Sequence, residues 1–142
     1  IYAATKFFLF TMIGSAFMLV GIIATAVLAK AGPGGTVTFD LVRIAENADF
    51  ASSTGRWLFF AFAIAFAVKV PLFPLHTWLP DAHTQAPTGG SVILAGVLLK
   101  MGTYGLARLA LPVLPDGMRE IAPVLGALGV AGILWGGLYA SS

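Results

Sequence analysis

The sequence predicts an all-α polytopic membrane fold, and three observations predict it. Of its 142 residues, 58% are hydrophobic and only 10% are charged, with a mean hydropathy of +0.93. That is too little charge to cover a water-soluble globule of this size. The apolar residues gather into four runs, each close to the ~20 residues that an α-helix needs to cross a hydrocarbon core of about 30 Å. Within one run, AFAIAFAVKVPLFPLHTWLPDAH at residues 61–83, a lysine and two prolines interrupt the apolar face, a pattern that belongs to a functional membrane span. The net charge of +2 arises without a basic run, which sets nucleic acid aside as a partner. With no cysteine, the chain offers no disulfide framework, thiolate-held zinc or iron–sulfur cluster.

The first span is expected at about Phe7–Ala29, with Lys6 and Lys30 at its ends, where long stems lie along lipid while the ammonium reaches water. A surface loop, residues 30–56, follows with much of the charge. In it Leu41, Ile44, Ala45 and Ala48 fall at i, i+3, i+4 and i+7 behind Asp40, which predicts a short amphipathic helix with Asp40 as N-cap. The second span is expected at about Trp57–Leu79, broken around Lys69 to Pro74. After the turn PDAHTQAPT, a third span, Thr88–Val113, begins behind Pro87 with Thr88 or Ser91 as its cap. Pro112, Pro115, Asp116 and Gly117 read as a polar turn, and the fourth span is expected at about Pro123–Ala140. Its Gly132-x-x-x-Gly136 spacing would let another helix approach closely. Opening at Ile1 without a targeting leader and stopping at Ser142 behind an apolar run, the chain reads as one membrane domain over 1–142, an interior piece of a longer protein.

The chemistry lies in the second and third spans. Lys69 and Lys100 each sit about twelve residues into a helix, some 18 Å along it, and the two helices run antiparallel, so both amines are expected at similar depth near the bilayer centre. An ammonium there costs from about 2.5 kcal/mol upward and requires compensation. Two roles would justify it. Each lysine either pairs with a carboxylate on a neighbouring helix and locks the bundle, or exchanges protons, which desolvation and a second cation favour and which an arginine could not do. Two lysines at matched depth, one beside a helix break, favour the relay. Pro71 and Pro74 remove the amides that would bond the carbonyls of Ala67 and Val70, freeing polar backbone at mid-membrane. His76 and His83 flank TWLPDA near one membrane face and titrate near neutral pH. They either carry protons between water and the lysines or bond the helix-end backbone. Their spacing, interrupted by Pro80, resembles no metal motif, so no metal is expected. Asp81 reads as a cap or an orienting group. Thr77, Thr103 and Tyr104 bridge waters or bond back to helix carbonyls. Arg108 reads as an anchor, and Trp57, Trp78 and Trp135 as interface or packing residues. No phosphate loop or catalytic triad is present.

The run KVPLFPLHTWLPDAHTQAPTGGSVILAGVLLKMGTYGLARL, with YAATKFF before it, closely resembles the proton-pumping, antiporter-like membrane subunits of respiratory complex I. The DAHTQAPT turn leading into SVILAGVLLKMGTYG favours the M branch of that family over the L and N branches. The resemblance implies that these helices are the sixth to ninth of about fourteen, and that Lys69 in a broken helix and Lys100 in the next belong to a proton path with His76 and His83. It places the glutamate partner before Ile1. Position 85, often acidic in the family, is Gln85 here. The resemblance further implies a translocase subunit that carries no cofactor itself, with NADH, flavin, iron–sulfur clusters and quinone on partner subunits. Its partners would be the other membrane subunits, the peripheral arm reached through them, and lipid. The membrane would be the bacterial plasma or mitochondrial inner membrane, with the turn 76–88 on the cytoplasmic or matrix side. Two other readings stand beside it: a subunit of a cation/proton antiporter or membrane-bound hydrogenase, or a structural membrane scaffold.

Overall fold

A computed structural model describes residues 1–47 and 49–141 of the chain. The described residues form helices joined by turns. Helix α1, Tyr2–Ala29, is 28 residues long, about 42 Å at 1.5 Å per residue. It begins five residues earlier than its apolar run because Tyr2, Ala3, Ala4, Thr5 and Lys6 also tolerate helix, and it ends in a left-handed Lys30 with φ 44°.

Helix α2, Leu41–Asn47, is the expected surface helix. The Asp40 carboxylate accepts the Val42 amide at 3.0 Å, which satisfies one of the donors that a helix start leaves open. Of its four periodic residues Ile44 is buried while Leu41 and Ala45 are exposed, and Ala48 lies outside the described residues. Helix α3, Ser52–Lys69, starts inside the expected loop. Helix α4, Trp78–Gln85, follows after a non-helical stretch.

Helix α5 runs Thr88–Val113. Pro87 occupies its N-cap and no side chain closes its first turn, so neither Thr88 nor Ser91 acts as the expected cap. Two segments of α5, Leu94–Leu98 and Leu106–Ala110, are wound as π-helix. The second lies directly ahead of Pro112, whose ring would collide with the carbonyl four residues back in a regular helix; the widened turn makes room for it. Pro112 therefore lies inside the helix rather than in a turn. Leu114, with φ −133° and ψ 59°, is the sole residue between α5 and helix α6, Pro115–Ser141. Pro115 suits a first helical position, where its missing amide costs nothing, so α6 starts eight residues ahead of Pro123, which is carried inside it.

Among the described residues three helices, α1, α5 and α6, are long and apolar enough to cross a membrane by themselves. The sequence leads one to expect four, and the second of them is divided here between α3 and α4. The helices pack as neighbours in alternating direction. Gly14 and Gly21 of α1 face Val68 and Phe62 of α3, while Gly102 and Gly105 of α5 face Val70 and Phe66. Leu58, Phe59, Phe62, Ala63 and Phe66 of α3 form the core with Ala110 and Leu114. Lipid is as apolar as these side chains, so such helices associate through dispersion and backbone approach rather than through exclusion of water. That is the work of the glycines. At Gly102 a Cβ would stand 2.7 Å from Val70 Cγ2 and 2.9 Å from Lys69 Cβ. The glycine approach expected on α6 is not met among the described residues, since a Cβ at Gly126, Gly129, Gly132, Gly136 or Gly137 would touch nothing within 4 Å.

Candidate functional site

The site is built around the end of α3. Pro71 has no amide for the Ala67 carbonyl, but that carbonyl does not stay open: the Leu72 amide reaches back one residue further and donates to it at 2.9 Å. The shift passes the deficit to Val68, whose carbonyl would have taken the Leu72 amide in a regular helix. The indole N–H of Trp78 fills the place, donating to the Val68 carbonyl at 3.2 Å. Trp78 is 2% exposed and packs on Phe7 of α1 with ring centroids 5.2 Å apart. A side chain ten residues on thus caps the end of α3 at the residue before Lys69.

Lys69 is the last residue of α3 and is half-buried. Its depth follows from its neighbours. Val68 lies against Gly14, near the middle of α1, and Lys69 Cβ lies against Gly102, near the middle of α5. Lys69 lines a cavity of ≈ 310 Å³ between α1, α3 and α5, together with Ser15, Met18, Met101 and Tyr104. The Ser15 and Tyr104 hydroxyls are its polar neighbours there. Ser15 is absent from any reading of the sequence because a lone serine in an apolar helix carries no signal, whereas Tyr104 is anticipated.

Lys100 lies on α5 two residues before Gly102, at nearly the same level. Two residues turn a helix by about 200°, and Lys100 is exposed on a face away from α3. The two lysines lie at a similar level along their helices, but the structure turns them to different faces, and Lys100 is not buried among the described residues. The ion pairs there are Lys6–Asp81, Arg43–Asp40 and Arg56–Glu120, so neither Lys69 nor Lys100 meets a carboxylate.

His76 lies in the turn before α4 and stacks on Phe73 at 5.4 Å. Its Nδ1 is buried with no hydrogen-bond partner among the described residues, so the bonded helix-end reading does not hold for this nitrogen. His76 lines an open cavity of ≈ 720 Å³ with Phe73, Asp81, Trp135, Tyr139 and Lys6. His83 is half-buried in the last turn of α4. Lys69 and His76 therefore line different cavities on either side of the break.

Of the two roles read for Asp81, cap or orienting group, the structure shows the second. Its carboxylate accepts from Lys6 Nζ at 2.7 Å, so Lys6 is paired across helices rather than extended to water. Lys30 and Arg108 are exposed. Thr103 donates to the Lys100 carbonyl at 2.9 Å, the helix-bonded alternative.

Comparison with known proteins follows the same lines. The family described as NADH:quinone oxidoreductase/Mrp antiporter, TM, matches residues 1–142. NADH-quinone oxidoreductase subunit M of Pseudomonas aeruginosa is 48% identical over 139 residues, 97% of this chain and 27% of the relative. NADH-quinone oxidoreductase subunit M of Rickettsia bellii is 48% identical over 141 residues, 99% of the chain and 27% of the relative. NAD(P)H-quinone oxidoreductase chain 4 1 of a Picosynechococcus strain is 49% identical over 140 residues, 99% of the chain and 25% of the relative. The chain thus spans about a quarter of the length of these curated relatives. Among solved structures, respiratory complex I from Thermus thermophilus with bound NADH matches at a TM-score of 0.74 and 34% identity, over 87% of this chain and 25% of that one.

Proposed function

Because this chain belongs to the NADH:quinone oxidoreductase/Mrp antiporter membrane family, we propose that it is part of a proton-translocating subunit of an NADH:quinone oxidoreductase. In this reading α3, the turn after it and α4 are two halves of one broken span in a bundle of about fourteen helices. Lys69 and Lys100 take up and release protons in response to electron transfer carried out elsewhere. His76 and His83 connect them to one membrane face. NADH, flavin, iron–sulfur clusters and quinone sit on partner subunits, and the carboxylate that answers Lys69 comes from a helix outside these residues. The membrane is the bacterial plasma or mitochondrial inner membrane, with the turn 76–88 on the cytoplasmic or matrix side.

One observation supports the reading: Lys69 stands at the end of a helix half-way along the neighbouring helices and lines a cavity whose other polar lining residues are Ser15 and Tyr104. A lysine side chain, unlike a guanidinium, is chemically able to release and regain a proton. The relatives named as quinone oxidoreductase subunits favour a redox-driven complex over a free-standing antiporter. In the assembled complex, Lys69→Met is expected to lower quinone-linked proton pumping at least about tenfold, a change of some 1.4 kcal/mol in the rate-limiting barrier. Pumping at the wild-type rate in that variant refutes the assignment.

A further inference from the structure

We infer that Lys6 and Asp81 are positioning residues, an interhelical latch that holds α4 against α1 and so fixes the half-span beyond the break. The inference rests on the proton-translocation reading for its functional consequence, but its structural part stands by itself. The chain between Lys69 and Trp78 is not helical, so helix continuity does not determine where α4 lies. Its position must come from contacts that reach across to other helices. Two of these run from α4 to α1 side by side: Trp78 on Phe7, and Asp81 on Lys6. Trp78 and Asp81 are three apart, as are neighbours on one helical face, and Phe7 and Lys6 are adjacent.

The two contacts differ in kind. The Trp78 ring is apolar and its N–H is committed to Val68. The Lys6–Asp81 pair supplies direction: its side chains are 22% and 39% exposed, so the pair is partly shielded, and a charge-assisted bond of 2.7 Å tolerates little displacement. The pair also forms part of the wall of the cavity that His76 lines. A slide of α4 along α1 would move that wall, and with it the cavity that His76 lines, while dragging Trp78 from the Val68 carbonyl. The latch therefore couples the cap on the helix before Lys69 to the shape of the cavity beyond the break.

The test is a charge-swap cycle in the full-length protein within its assembled complex: Lys6→Met, Asp81→Asn, and the swap Lys6→Asp with Asp81→Lys. Quinone-linked turnover per assembled complex is expected to fall at least about threefold in each single variant at unchanged KM for quinone, and to return to within about twofold in the swap. Amide hydrogen exchange across residues 78–85 is read in the same preparations, and in the single variants is expected to speed up about tenfold, with protection restored by the swap. Unchanged exchange in Lys6→Met overturns the latch whatever the turnover does. Faster exchange with undiminished turnover overturns its role in the reaction, as does a swap no more active than the single variants. If Lys69→Met pumps normally, the proton reading fails, but the exchange result still decides whether the latch exists.

Discussion

At the residue scale, Val68, Lys69 and Trp78 form the unit on which the account depends. A proline at position 71 removes one donor, the next amide shifts back to fill its place, and an indole closes the carbonyl that this leaves. Trp78→Phe preserves most of the packing against Phe7 but removes the indole donor. It should cost about 1–3 kcal/mol, the price of a buried acceptor without a partner, read as a lower unfolding temperature of the detergent-solubilised complex. Thermal stability equal to wild type would show that the Val68 carbonyl finds water instead. Lys69 and Lys100 are legible in the sequence because a charge inside an apolar run is rare enough to stand out. The Lys6–Asp81 and Trp78–Val68 contacts are not, the first because its members lie 75 residues apart, the second because a backbone carbonyl has no letter. Depth is legible by counting residues, but facing is not: two π-wound segments in α5 shift the register on which any helical wheel for Lys100 would rely.

At the scale of the elements, close approach of α5 to α3 decides how firmly Lys69 is held. Gly102 and Gly105 meet Lys69, Val70 and Phe66 almost backbone to side chain. Gly102→Ala therefore pushes the helices apart and is expected to destabilise the assembled complex by about 1–3 kcal/mol. Gly96→Ala, where a Cβ meets nothing within 4 Å among the described residues, serves as the comparison and should stay within about 0.5 kcal/mol of wild type. Equal melting temperatures for the two variants would contradict the packing described. The sequence points to the glycines of α6 instead, because a Gly-x-x-x-Gly spacing is conspicuous while Gly102-x-x-Gly105 is not. Span α1 is legible as a long apolar run behind Lys6, and α5 as an apolar run that carries Lys100 and Arg108. The start of α6 is not, because Pro115 and Pro123 both look like helix beginnings and only the tertiary setting selects the first.

At the scale of the whole molecule, the packing fixes which ends share a membrane face. The amino end of α1 lies with α4 through Lys6 and Asp81, and the amino ends of α3 and α6 lie together through Arg56 and Glu120, whose side chains are 2.7 Å apart. Cysteines placed at Thr5 and Thr84 should therefore react with a membrane-impermeant maleimide from one side, and those at Thr38 and Arg119 from the other. Labelling of Thr5 and Thr84 from opposite sides would break the arrangement. The pattern of spans can be read from hydropathy, and Pro71 and Pro74 mark an interruption of the second span after Lys69, but where α4 begins requires the structure. The mean of its first half is lowered by Arg56 and Lys69, and its second half is too short to count as a span.

The most direct test of the central claim, that Lys69 passes protons rather than merely supplying a positive charge, is proton pumping by the assembled complex carrying Lys69→Arg. Guanidinium keeps the charge and can still answer a carboxylate, but it does not release its proton under these conditions. The account predicts that quinone-linked pumping per assembled complex is lost as fully as in Lys69→Met. Pumping at the wild-type rate with arginine in place would contradict it and leave Lys69 as a fixed charge.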